Sequence, residues 1–110
     1  MQTITQDAEL VATSKGKKTV VMVHATWCPF CVRFKPTFVQ ETAQLRGWEA
    51  LECLIDDEAN PIWSKHRINV VPTILFLEDG KVTARLDGTL GRGLKADQLA
   101  KALKNAGAVA

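Results

Sequence analysis

Long hydrophobic runs are missing from this 110-residue sequence. The longest, Val20 to Val23, falls far short of the roughly 20 apolar residues needed to cross a bilayer, which excludes a helical membrane span. Met1 to Glu9 alternates polar and apolar residues, with no basic start leading into an apolar stretch, so no secretory signal is expected and the default compartment is the cytoplasm. Charge of one sign is missing too. The 14 Lys and Arg oppose 12 Asp and Glu for a formal +2. Only Lys15, Lys17 and Lys18 cluster, and they read as a solvated turn, so neither a nucleic-acid stripe nor disorder is implied. Cysteine is scarce: three residues, an odd number, exclude a disulfide scaffold, and in a reducing compartment a close pair points to catalysis or metal binding. There is no repeat, no low-complexity tract and no Pro, Gly or Ser-rich linker, which gives one domain over residues 1–110. With 46% hydrophobic residues it can fold without a partner, and no heptad or exposed apolar stripe demands one, so a monomer is expected.

What is present alternates. Gln6 to Ser14 reads as a short helix with Asp7 as a cap, closed by Ser14-Lys15-Gly16. Thr19 to Ala25 is a β-branched run of buried-strand length. Pro29 to Leu45 carries Phe30, Phe34, Phe38, Val39, Thr42 and Leu45 at near-helical spacing, ends at Gly47, and should kink at Pro36. Ala50 to Ile55 reads as a second buried strand and Asp57 to His66 as a short helix. Thr73 to Leu77, the turn Glu78-Asp79-Gly80 and Lys81 to Leu86 form a hairpin signal, and Lys95 to Asn105 is a terminal helix. Strands and helices in this order predict an α/β fold, a sheet covered on both faces.

Trp27-Cys28-Pro29-Phe30-Cys31 sits just after a strand, at the start of a helix. Two cysteines three apart on a first helical turn share one face and can close a disulfide ring. The free amides and dipole of the helix start favour a thiolate on the first sulfur, which makes Cys28 the candidate nucleophile. Cys31, one turn deeper, can attack a mixed disulfide and release the reduced product. Pro29 suits the first turn because the missing amide is one that the helix leaves unpaired anyway. The rival reading is half a zinc site, with Cys53, His24 and His66 as nominal further ligands, but these lack paired spacing and Cys53 falls in a buried-strand pattern. His24 at the strand end reads as a packed histidine, with an influence over Cys28 as the second reading. His66 reads as surface. Trp27, next to Cys28, reads as a surface contact residue, while Trp48 and Trp63 lack such a neighbour and read as packing. Arg33 is close enough to favour a thiolate modestly.

Taken together these residues resemble the thioredoxin family over nearly the whole chain. Trp27, Cys28 and Cys31 match its Trp-Cys-X-X-Cys motif. Pro36 falls where the family has a helix-kinking proline, and Val71-Pro72-Thr73 resembles its cis-proline loop. Asp79-Gly80 and Gly88 fall at its hairpin turn and groove glycine. The resemblance implies a thioredoxin fold, a central mixed sheet flanked by helices on both faces. It also implies a substrate groove lined by Trp27, Val71, Pro72 and Gly88, and dithiol-disulfide exchange on disulfide-containing protein substrates. The redox carrier is then the Cys28-Cys31 pair itself with no added cofactor or metal, recharged by an electron donor of thioredoxin-reductase type. The cis state of Pro72 rests on the resemblance alone, since an isolated X-Pro bond is cis in only about 5–6% of cases.

The sequence departs from the family pattern in having Cys-Pro-Phe-Cys between the motif cysteines, Met22 where the family has a buried aspartate, and Cys53 at what reads as its buried lysine position. Cys-Pro-aromatic-Cys is nearer the glutaredoxins, so a glutathione-dependent enzyme is the second reading. A binding module that keeps only the fold is the third. The absence of paired glycines after Asp87-Gly88 and the additional N-terminal helix favour the first. Leu51, Cys53 and Ile55 alternate onto one strand face, which makes Cys53 a small buried hydrophobe rather than a third redox residue. Cys53→Ala is therefore expected to cost some stability and to leave disulfide reduction within about threefold, short of the roughly 1.4 kcal/mol that a tenfold change represents. Disulfide mapping of the air-oxidised protein checks this, because a substantial Cys53 link to Cys28 or Cys31 would contradict it.

Overall fold

The computed structural model describes all residues from Met1 to Ala110. In chain order the elements are β1 (Gln2–Ile4), α1 (Asp7–Ser14), β2 (Lys18–His24), α2 (Pro29–Glu41), β3 (Glu49–Leu54), α3 (Ile62–Lys65), β4 (Thr73–Glu78), β5 (Lys81–Asp87) and α4 (Ala96–Asn105). The strands form one mixed sheet in the order β1-β3-β2-β4-β5. Strands β1 and β2 run parallel to β3, while β4 lies antiparallel to β2 and β5. β2 is central, and Val20 to Val23 are fully buried, because both of its edges are paired and both of its faces covered.

The register separates two rows of side chains. Met22 lies opposite Glu52 and Ile74, and Val20 opposite Ala50 and Phe76, all on the face covered by α2 and α4. Val21 lies opposite Leu51 and Leu75, and Val23 opposite Cys53 and Thr73, on the face covered by α1 and α3. Cys53 therefore faces away from α2. Burial pushes its thiol up to about 12, with the charges of Glu9 and Asp7 on α1 adding to the effect.

Several local expectations change where tertiary contacts compete with them. The three-residue β1 has no strong sequence signal and exists by pairing with β3, Ile4 against Cys53. The cap of α1 is not Asp7: Gln6 occupies that position, and the Glu9 carboxylate accepts the Thr5 and Gln6 amides at 3.2 and 3.1 Å. α2 stops at Glu41 rather than Leu45, since the chain turns away so that the Arg46 amide can donate to the Ala108 carbonyl at 2.7 Å. The helix expected over Asp57 to His66 shrinks to Ile62–Lys65 because the Asp57 and Asn60 side chains accept the Ala59 and Ile62 amides locally, at 2.9 and 3.0 Å.

His66, read as surface, is half-buried and paired. Its Nε2 lies 2.6 Å from Asp7 Oδ1, and Lys65 bonds the other oxygen of the same carboxylate, tying α3 to α1. Burial works against the Asp7 charge, but the hydrogen bonds from Lys65 and His66 outweigh it and hold the carboxyl below its usual range. A carboxyl held low in the folded state contributes stability above its unfolded titration range and loses it as pH falls through the folded one. Asp7→Asn should thus lower stability at pH 7 by about 1 kcal/mol, after allowing for solvent screening. The difference should shrink as pH falls below about 4, which urea unfolding of both proteins at pH 7 and pH 3 measures.

Candidate active site

Between the end of β2 at His24 and the helix cap at Cys28 the chain has three residues, Ala25, Thr26 and Trp27, in which to turn from sheet to helix. Four hydrogen bonds hold this turn. The Cys28 amide donates to the Ala25 carbonyl at 3.2 Å. The Thr26 amide donates to Asp56 Oδ1 at 2.8 Å and its hydroxyl to Asp56 Oδ2. The indole Nε1 of Trp27 donates to the Asp56 carbonyl oxygen at 3.0 Å. The Thr26 hydroxyl and amide hold the exposed Asp56 carboxyl below its ordinary range. Asp56 is a residue that sequence reasoning missed, since an acid in a loop after a strand carries no motif.

Cys28 is the N-cap of α2. Its sulfur accepts the Cys31 amide at 3.3 Å, taking one of the donors that a helix start leaves open. Its thiol reaches the Val71 carbonyl at 3.5 Å. Pro29 follows at the first helical position. All three cysteines are free thiols, and Cys31 is fully buried. Burial first, then the neighbouring Cys28, pushes the Cys31 thiol well above the ordinary range, partly offset by the Ala25 backbone. The two sulfurs thus differ in kind: Cys28, though buried, lines a groove that opens to solvent, and Cys31 is sealed beneath it. Arg33, expected to favour the thiolate, instead places its guanidinium over the Phe30 ring at 5.6 Å.

Cys28 lies in a groove of about 590 Å³. One wall is aromatic: Trp27 and Trp63 stack with centroids 6.3 Å apart and planes within 10°. Trp63 Nε1 donates to the Ile55 and Asp57 carbonyls at 3.1 and 3.2 Å, so both indoles are anchored to the loop after β3. Trp63 was expected only to pack, but it also lines the groove. Pro29, Phe30, Val70, Val71, Leu90 and Gly91 complete the apolar lining, with Glu58 the charged residue at the rim.

Of the residues the sequence assigned to the groove, the structure places Trp27 and Val71 in its lining, while Pro72 and Gly88 are not part of that lining. The Val71-Pro72 bond is cis. A Cβ on Gly88 would sit 2.5 Å from the Pro72 carbonyl oxygen, so this glycine lets the neighbouring backbone approach. Leu90 was not anticipated. It is 84% exposed on a tight turn closed by mutual Thr89 and Gly93 backbone bonds of 2.9 and 2.8 Å. Gly93 has φ +70° and lies against Phe30, a Gly-x-Gly signal that marks the turn in retrospect. His24 is buried at the strand end, as the packed reading has it. Cys53 and His66 face α1, and no three His, Cys, Asp or Glu side chains converge as a metal-binding group.

A family model described as a thioredoxin-like domain matches residues 5–107. A thioredoxin of Mycoplasmoides gallisepticum is 35% identical over 89 residues, 80% of this chain and 88% of that protein. The chloroplastic thioredoxin Y of Oryza sativa subsp. japonica is 31% identical over 94% of this chain and 61% of its own. In structure, thioredoxin f from spinach chloroplast matches with a TM-score of 0.76 at 22% identity, covering 97% of this chain and 93% of that one. A chain from a crystal structure of a ferredoxin:thioredoxin reductase and thioredoxin f2 complex matches with a TM-score of 0.77 at 23% identity, covering 97% and 94%.

At Gly88 the atom closest to an added Cβ is the Pro72 carbonyl oxygen. A methyl group there meets backbone rather than a yielding side-chain tip, so Gly88→Ala should cost roughly 1–3 kcal/mol and lower activity by displacing the Val71 carbonyl from Cys28. Denaturant unfolding and a disulfide-reduction assay on the same preparation measure both effects.

Proposed function

Since the chain belongs to the thioredoxin family and is a thiol-disulfide oxidoreductase, we propose that it reduces protein disulfides with Cys28 as nucleophile and Cys31 as the resolving cysteine. The observation that carries this reading is the Cys28 sulfur at the start of α2, accepting the Cys31 amide at the floor of an apolar groove. The helix start favours negative charge on that sulfur. It attacks one sulfur of the substrate disulfide; that bond breaks, the first substrate thiolate leaves, and a Cys28 mixed disulfide remains. Cys31 loses its proton and attacks Cys28. The mixed disulfide then breaks, the second substrate thiolate leaves and is protonated, and two electrons have passed from the dithiol to the substrate.

The groove supports protein substrates over a small thiol. Its aromatic wall and the Leu90 turn flank Cys28 and offer apolar contact to an extended segment on either side of a cysteine. Trp27, 53% exposed yet anchored through Nε1, is suited to such a contact. The cysteine pair carries the electrons without an added cofactor. A thioredoxin-reductase-like donor is proposed by analogy with the thioredoxin f2 complex. The cycle suits a monomer in a reducing compartment such as the cytoplasm; no helix is long and apolar enough to cross a membrane.

The two cysteines should separate by mutation. Cys28→Ser is expected to abolish dithiothreitol-driven insulin reduction. Cys31→Ser should lose turnover but accumulate a covalent protein–substrate mixed disulfide, visible as a mass shift that reductant removes. Normal turnover by Cys31→Ser without added thiol would contradict the resolving role.

A further inference from the structure

The resolving step requires Cys31 to lose a proton in a place where burial opposes thiolate formation. Asp56 is a poor acceptor for it, because both of its oxygens already take hydrogen bonds from Thr26. A further group of titratable side chains lies between α2 and the sheet. Lys35 is four residues after Cys31, one turn down the same helix face. Its Nζ lies 3.2 and 3.1 Å from the two oxygens of Glu52, a β3 side chain only 8% exposed on the α2 face of the sheet. His24, 6% exposed by its side chain, ends β2 immediately before Ala25, whose backbone touches Cys31.

His24 Nε2 faces Glu52 Oε1 at 3.4 Å but is not aligned for a hydrogen bond and has no other partner. Such an orphaned buried nitrogen calls for a physical reason. The charged groups facing the ring are Glu52 from β3, Lys35 from α2 and Asp56 from the loop after β3. Burial lowers the tendency of His24 to hold a second proton, against the pull of Glu52, so at neutral pH the imidazole is neutral and open to protonation.

We propose that His24, oriented by Glu52, accepts the proton that Cys31 gives up in the resolving step. This rests on the assignment of Cys31 as resolving cysteine. A small rotation of the ring that brings Nε2–H onto Glu52 leaves Nδ1 as its basic nitrogen. The Cys31 proton passes to His24, and the Cys31 thiolate attacks Cys28. The mixed-disulfide bond breaks and the departing substrate sulfur carries the electron pair away as thiolate. The imidazolium then shortens its contact to Glu52 into a charge-assisted hydrogen bond and later releases the proton to solvent. Glu52 and Lys35 are positioning residues, and the half-exposed Lys35 balances the buried carboxylate.

Stopped-flow reaction of the reduced protein with one equivalent of an aromatic disulfide that releases a coloured thiolate reads the two steps separately. The first release reports attack by Cys28 and the second reports resolution by Cys31. In His24→Gln the first phase should stay within about twofold. The second should slow by about 10- to 100-fold at pH 7, the range of a lost proton acceptor, and rise about tenfold per pH unit up to pH 9. Glu52→Gln, which keeps the shape of the side chain, should slow the second phase in the same sense, and Glu52→Asp should partly restore it. A second phase that keeps its rate and pH profile in His24→Gln, or in Glu52→Gln should the first variant not fold, overturns the proposal. Equal slowing of both phases also overturns it, since that marks a displaced turn. If instead the Cys31→Ser protein shows no first release, the assignment of Cys28 as nucleophile falls, independently of His24.

Discussion

A helix that begins directly behind a strand presents its unpaired amides to whatever caps it, and in this protein the cap is a thiol. The Cys28 sulfur takes the Cys31 amide at 3.3 Å, and that contact joins structure to chemistry. The demand for an acceptor at the helix start and the stabilisation of a thiolate are one electrostatic requirement. Placement of the cap depends on the turn before it. Asp56 fixes that turn by taking the Thr26 amide and hydroxyl and the Trp27 indole, so a loop after β3 sets the angle at which β2 hands over to α2.

The two faces of the sheet carry different work. On the α1 and α3 side, Cys53 is sealed among apolar neighbours and remains a thiol, while Asp7, Lys65 and His66 clamp the two helices together. On the α2 side, a carboxylate, an imidazole and an ammonium converge between the helix and the sheet. Met22, read from the sequence as the loss of a buried acid, lies directly beside Glu52 across the β2–β3 pairing. The acid on this face belongs to the neighbouring strand.

The groove is likewise a product of several loops meeting. Its aromatic wall comes from the motif and from α3, a second side from Asn69 to Val71, and its far rim from the turn that exposes Leu90. Gly88 and Gly93 serve it by omission: at each, the missing Cβ lets a neighbouring segment close in, the Pro72 carbonyl in one case and the Phe30 ring in the other.

The sequence by itself determined the features whose cause is local. Two cysteines three residues apart share a face of any helix they begin, and Pro29 fits only the start of that helix. The β-branched run before them is strand by composition, and the hairpin at Asp79-Gly80 follows from a turn that needs positive φ at both residues. From these the α/β order and the active cysteine pair were legible. Tertiary structure decided the rest: that Gln2–Ile4 is a strand, that His66 is tied to Asp7 rather than to solvent, that Trp63 joins Trp27, and that Glu52 rather than Cys53 lies on the face of the reactive helix. Each of these is a contact between segments far apart in the chain. Propensity and spacing reach only a few residues, whereas a buried polar group takes whatever partner the closed sheet brings to it.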